Sequence, residues 1–102
     1  MARFDVYRFT SETVPLVVDV QAGILDDLAS RVVIPLCPVK YAKGEMLSRL
    51  KPVLEIDGEE YVLMTTDIAA IPRTRLGERI TNIEQACGDD ISAAIDFLLI
   101  GF

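Results

Sequence analysis

The sequence predicts a mainly β protein, an antiparallel sheet completed by one C-terminal α-helix. Three observations carry this reading. Short runs of β-branched and aromatic residues alternate with polar ones through most of the chain, and the pair Asp57-Gly58 sits between two such runs. After Thr81 the apolar spacing lengthens from two residues to three or four.

The elements follow in order. "ARFDVYRF" (residues 2–9) alternates well enough for a first strand, and "VPLVVDVQ" (14–21) makes a second after the polar turn "TSET" (10–13). "ILDDLASR" (24–31) reads as a loop or short turn. "RVVIPL" (31–36) is β-branched and apolar, but Pro35 has no N–H to donate, so Val32 to Ile34 should be strand with Pro35 at its edge or end. From Cys37 to Ser48 no order is evident. "PVLEIDGEEYVLMTT" (52–66) is the cleanest local signal, two alternating runs around a favoured tight-turn pair, and predicts a β-hairpin. "DIAAIPRTRLG" (67–77) predicts a further strand bent near Pro72.

Thr81-Asn82-Ile83-Glu84 fits a capping box and starts a helix that runs to about Leu99. Cys87, Ile91, Ala94, Ile95 and Leu98 recur on one face, which should dock on the sheet. At about 100° per residue, Ile100 falls opposite that face, near Ala93 and Asp96, and Phe97 lies well off it. Gly101 is placed to end the helix in a left-handed conformation. The terminal "DFLLIGF" (96–102) therefore cannot all be covered by its own domain. Three coverings remain open: an inward bend that buries Phe102, a second copy of the chain, or a different partner protein.

Composition narrows the function. The 102 residues correspond to one domain spanning the whole chain, and 51% apolar with 25% charged residues describe an ordered globular protein. No signal-peptide core is visible and no run approaches the roughly 18 apolar residues of a membrane span, so a cytoplasmic protein is expected. Cys37 and Cys87 lie far apart, without a CxxC partner, and read as two reduced, packed thiols. The chain has no histidine, so imidazole-based catalysis is excluded, and its carboxylates show no metal-binding spacing. Cofactors and metals are not expected, and an enzyme is disfavoured. A net charge of −6 argues against direct nucleic-acid binding.

Val17-Val18-Asp19-Val20-Gln21, then Val33-Ile34-Pro35-Leu36, then Met64 to Pro72 ("MTTDIAAIP"), and a terminal helix ending Ile100-Gly101-Phe102 resemble the CcdB family of bacterial toxins along nearly the whole chain. The resemblance implies an SH3-like, partly open antiparallel barrel with a C-terminal helix, a superfold shared with MazF-type endoribonucleases. It implies a homodimer, in keeping with the apolar "MTTDIAAI" run, that binds the A subunit of DNA gyrase and traps the gyrase–DNA cleavage complex. It further implies neutralisation by a CcdA-like antitoxin whose disordered segment folds on the toxin. The gyrase-contacting positions carried over are Ile24 and Leu25 after the second strand, and Asp96, Leu99, Ile100, Gly101 and Phe102 at the end of the helix. Asp96 stands where the family commonly has asparagine, and Ile100 where the best-known pattern has tryptophan. No catalytic residue is implied. The antitoxin is expected around the "TSET" turn and the Tyr41 to Ser48 loop. The alternative is an endoribonuclease of the same superfold working through Arg31, Thr65, Thr66 and Arg73, or a protein of this fold with weakened or no gyrase poisoning.

Overall fold

A computed structural model of the chain describes residues 2–11, 14–42 and 48–102. Among the described residues seven strands form one antiparallel sheet: β1 (Asp5–Arg8), β2 (Leu16–Asp19), β3 (Ser30–Pro38), β4 (Val53–Ile56), β5 (Glu59–Leu63), β6 (Ala69–Pro72) and β7 (Arg79–Asn82), followed by the helix α1 (Glu84–Ile100). The strand order is β4-β5-β3-β2-β1-β7, with β6 paired to β3 off this path. The sheet curls into the half-barrel expected from the sequence.

Pro35 lies inside β3 and does not end it, which corrects the sequence reading. The reason is a change of partner. On one side the middle of β3, Val33 to Leu36, pairs β2, while on the other its first half, Ser30 to Val33, pairs β6 and its last part, Leu36 to Pro38, pairs β5. Pro35 falls at the changeover. Its carbonyl accepts from the Met64 N–H at 3.0 Å on that side, so its missing donor points to the gap between β5 and β6, where no strand asks for it. The strand then continues through Cys37, a stretch in which the sequence shows no order.

The β4–β5 hairpin is as expected. Ile56 pairs Glu59, and Asp57 (φ 52°) and Gly58 (φ 82°) both take the positive φ that a two-residue type I′ turn requires.

Alternation sorts the sheet into two faces. Val6, Leu16, Val18, Ile34 and Leu36 join Leu54, Ile56 and Leu63 in the main core, onto which α1 lays Cys87, Ile91 and Ala94. Ile95 packs on the edge of this core. Ile91 is fully buried, which contributes on the order of 2–3 kcal/mol. On the other face Tyr7, Val17 and Val33 form a smaller cluster under Phe9, Val14, Ile71 and Leu76.

β7 is an element that the sequence reading missed, and it displaces the expected cap. Thr81 is a strand residue paired with Val6, so it cannot open the helix. Asn82 does this work instead: its Oδ1 accepts the Glu84 N–H at 3.0 Å, while its Nδ2 donates to the Arg3 carbonyl and to Asp5 Oδ1, both at 2.9 Å. Asp5 is the hub of this corner, also accepting from the Ala2 N–H and ion-paired to Arg79. Burial works against its charge, but these partners more than offset it and hold its carboxyl below the ordinary 3.8. Tyr7, buried and donating its hydroxyl to Asp5, is pushed up to about 12. Cys37 and Cys87 are both buried and not disulfide-bonded, and burial together with nearby Asp90 pushes the Cys87 thiol up.

Candidate functional site

The connection between β2 and β3 is built on polar groups that the strands bury. Asp19 closes β2 and Arg31 is the second residue of β3, and both side chains are fully buried. Arg31 Nε and Nη2 donate to Asp19 Oδ2 at 2.9 and 2.6 Å, and Asp19 Oδ1 accepts the Gln21 N–H at 2.9 Å. The remaining arm of the guanidinium, Nη1, reaches Asp26 Oδ1 at 3.1 Å. Gln21 braces the same turn: Nε2 donates to the Leu25 carbonyl at 3.0 Å while Oε1 accepts the Val32 N–H at 2.9 Å. From outside, Arg73 Nη1 donates to the Asp26 carbonyl at 2.9 Å.

Held by this frame is a short 3-10 turn, Gly23–Leu25, none of whose residues is buried. Ile24 is 92% exposed and Leu25 45%, so the aliphatic pair projects from the surface and plugs nothing. The pair is legible in the sequence, but its frame escapes the sequence reading. The available signal is an aspartate inside "VVDV" and an arginine heading "RVVIPL", opposite charges at the two roots of one turn within otherwise apolar strands.

The second predicted patch lies at the end of α1. Gly101 adopts the left-handed conformation (φ 82°), and its N–H returns to the Phe97 carbonyl at 3.0 Å, closing the helix as the sequence indicates. Leu99, Ile100 and Phe102 are 71, 59 and 79% exposed. The inward bend that would bury Phe102 therefore does not occur. Asp96 is exposed on the same last turns, and Phe97, half-buried, carries the Arg49 guanidinium 4.8 Å from its ring centroid. The two patches are carried by different elements. The turn is tied to β2, β3 and Arg73, whereas α1 packs against the sheet and the short turn Thr65–Asp67.

Of the four residues weighed for RNA cleavage, Arg31 and Thr65 are fully buried, and Thr66 and Arg73 are at the surface. Among the described residues no group of three or more His, Cys, Asp or Glu could hold a metal ion, and no helix is long and apolar enough to cross a membrane. A groove of about 620 Å³ is lined by Arg8, Phe9, Thr10, Ser11, Pro15 and Gly77, and no residue of either patch lines it. It borders the "TSET" turn, of which residues 12 and 13 lie outside the described residues, as do residues 43–47 of the second expected antitoxin surface.

A family model described as CcdB protein matches residues 3–101. The chain belongs to the CcdB family. It is thereby a toxin of the toxin–antitoxin class. Among solved structures it is similar to an endoribonuclease in complex with its cognate antitoxin from a mycobacterial species, with a TM-score of 0.78 over 97% of this chain and 94% of that one. The identity is 16%, so the likeness is one of fold. A CcdB-family chain and an endoribonuclease that binds an antitoxin thus share one scaffold.

Proposed function

We propose that this CcdB-family protein acts by binding the A subunit of DNA gyrase and holding gyrase on its cleaved DNA. The observation that supports this most directly is the solvent-exposed apolar tip Leu99, Ile100 and Phe102 around the left-handed Gly101. Large apolar side chains left in water at the end of a helix have no role in the core and fit insertion into a partner. Ile24 and Leu25, with Asp96, supply the rest of the contact.

The mechanism is differential binding and requires no bond chemistry. A toxin that prefers the cleaved conformation of gyrase by about 2.7 kcal/mol enriches that state a hundredfold. The working unit is a homodimer, it does not bind nucleic acid directly, and a CcdA-like antitoxin removes it. Ile100 covers less area than the family's tryptophan, and loss of a large aromatic anchor costs on the order of 2–4 kcal/mol. Phe102 restores an aromatic two residues on.

The test is purified protein incubated with gyrase and supercoiled DNA, then denatured. Linear DNA that depends on the toxin is expected. Cleaved RNA without linear DNA would assign the scaffold to the endoribonuclease class instead, and neither product would leave a binding module.

A further inference from the structure

We infer that Gln21 and Asp26, working with the buried Arg31, are positioning residues for the Ile24–Leu25 turn, fixing it in the geometry that meets the partner protein; this rests on the gyrase reading above. The turn has no apolar anchor of its own, since none of its three residues is buried. What orients it is therefore polar. Gln21 divides its amide between the sheet (Val32 N–H) and the turn (Leu25 carbonyl), and Arg31 divides its guanidinium between Asp19 and Asp26. Each side chain is a cross-brace from a strand to the turn.

Fold stability alone does not account for this arrangement. A buried ion pair contributes little over apolar residues of the same volume, and Arg31 spends one arm outside its pair, on a carboxylate beyond the turn. Holding exposed aliphatic side chains in a single geometry does have a return in binding, because the ordering cost is met before the partner arrives.

Removing Arg31 would strand a buried carboxylate, so the test uses the two partners on the turn side. Gln21→Glu keeps the acceptor for Val32 but removes the donor to Leu25. Asp26→Ala removes the Arg31 contact, and Asp26→Asn retains an acceptor. Amide hydrogen exchange of the free proteins and titrations with the purified A subunit of gyrase are measured, each variant also being made in an Ile24→Ala/Leu25→Ala background. Exchange at Leu25, Asp26 and Leu28, whose N–H groups bond within this turn, should quicken at least about tenfold in Gln21→Glu and Asp26→Ala, while Ile34 and Leu36 in β3 keep their rates. Gyrase affinity should fall about fivefold in both, stay within about twofold in Asp26→Asn, and be indifferent to them in the double-alanine background.

Unchanged exchange at the turn overturns the inference whatever gyrase does, and so does an affinity loss of equal size in both backgrounds, which would mark Gln21 or Asp26 as direct contacts. If Ile24→Ala/Leu25→Ala binds gyrase as the parent does, the gyrase reading of the turn fails, and the exchange rates still decide whether these residues position it.

Discussion

The Gly23–Leu25 turn and the C-terminal tip both hold large apolar side chains in water, and they do so by opposite means. The turn rests on a buried polar frame in which Gln21 and Arg31 reach from β3 and its partner Asp19 toward the turn, while Asp19 holds Arg31 and the Gln21 N–H. The tip rests on regular structure: a 17-residue helix is docked by Cys87, Ile91 and Ala94, and its last turn projects beyond that contact. The first arrangement concentrates its dependence in a few groups that cannot be left unpaired. The second spreads it along a helix, so that what projects beyond the core can change with little consequence for folding.

Substitutions ranked by their effect on stability should break or sharpen this contrast. Arg31→Ala is expected to cost the most, about 3–5 kcal/mol, because Asp19 would remain buried without its partner; urea or thermal unfolding measures it. A loss below about 1 kcal/mol would show that water replaces the guanidinium and that the frame is not rigid.

Asp5→Asn comes next and acts on the helix side, where Asp5 supports the Asn82 cap. Because the folded carboxyl is held below its ordinary value, its stabilisation is complete above about pH 4 and is lost as pH falls through the depressed value. The melting-temperature gap between wild type and Asp5→Asn should be widest near neutral pH and narrow as pH falls below the ordinary carboxylate range. A gap constant across this fall in pH would mean the carboxyl gains nothing from its partners.

Gly101→Ala should cost about 1 kcal/mol through backbone strain alone, since a Cβ there meets nothing within 4 Å. Growth inhibition should fall by more than this small change explains, as Phe102 is redirected.

The smallest effect on folding should come from deleting residues 100–102, within about 0.5 kcal/mol in a thermal melt, together with complete loss of growth inhibition. Ile100→Trp should be equally silent in the melt and should hold or raise gyrase affinity. A truncated protein that unfolds readily would make the tip part of the core, and one that still kills would remove it from the mechanism.

What is legible in the sequence is what neighbouring residues decide. Asp57-Gly58 announces its own turn, the helix announces its face, and Gly101 its end. The tip's exposure follows from the angle of Ile100 relative to Ile91, a purely helical calculation. Pro35 misleads because its tolerance depends on a distant fact, that β6 gives way to β5 beside it. β7 is hidden because Thr81-Asn82-Ile83-Glu84 carries a strong local capping signal, while its pairing with β1 is long-range. The frame under Ile24 and Leu25 is hidden for the same reason: Asp19 and Arg31 are 12 residues apart and meet only once the β2–β3 ladder is in register.

Pairing β1 with β7 makes folding wait on translation. The Asp5–Asn82 bond joins groups 77 residues apart, and Phe4, on β1's approach, packs its ring against Gly88 of the helix. A ribosome adds about 5–20 residues per second, so β1 waits several seconds or more for its neighbour. Until then the hairpins can pair among themselves, but the corner that seats the helix does not exist, and neither does a tip in its working position. The tip therefore reaches its seat late, only when β7 and α1 have been made and have joined β1.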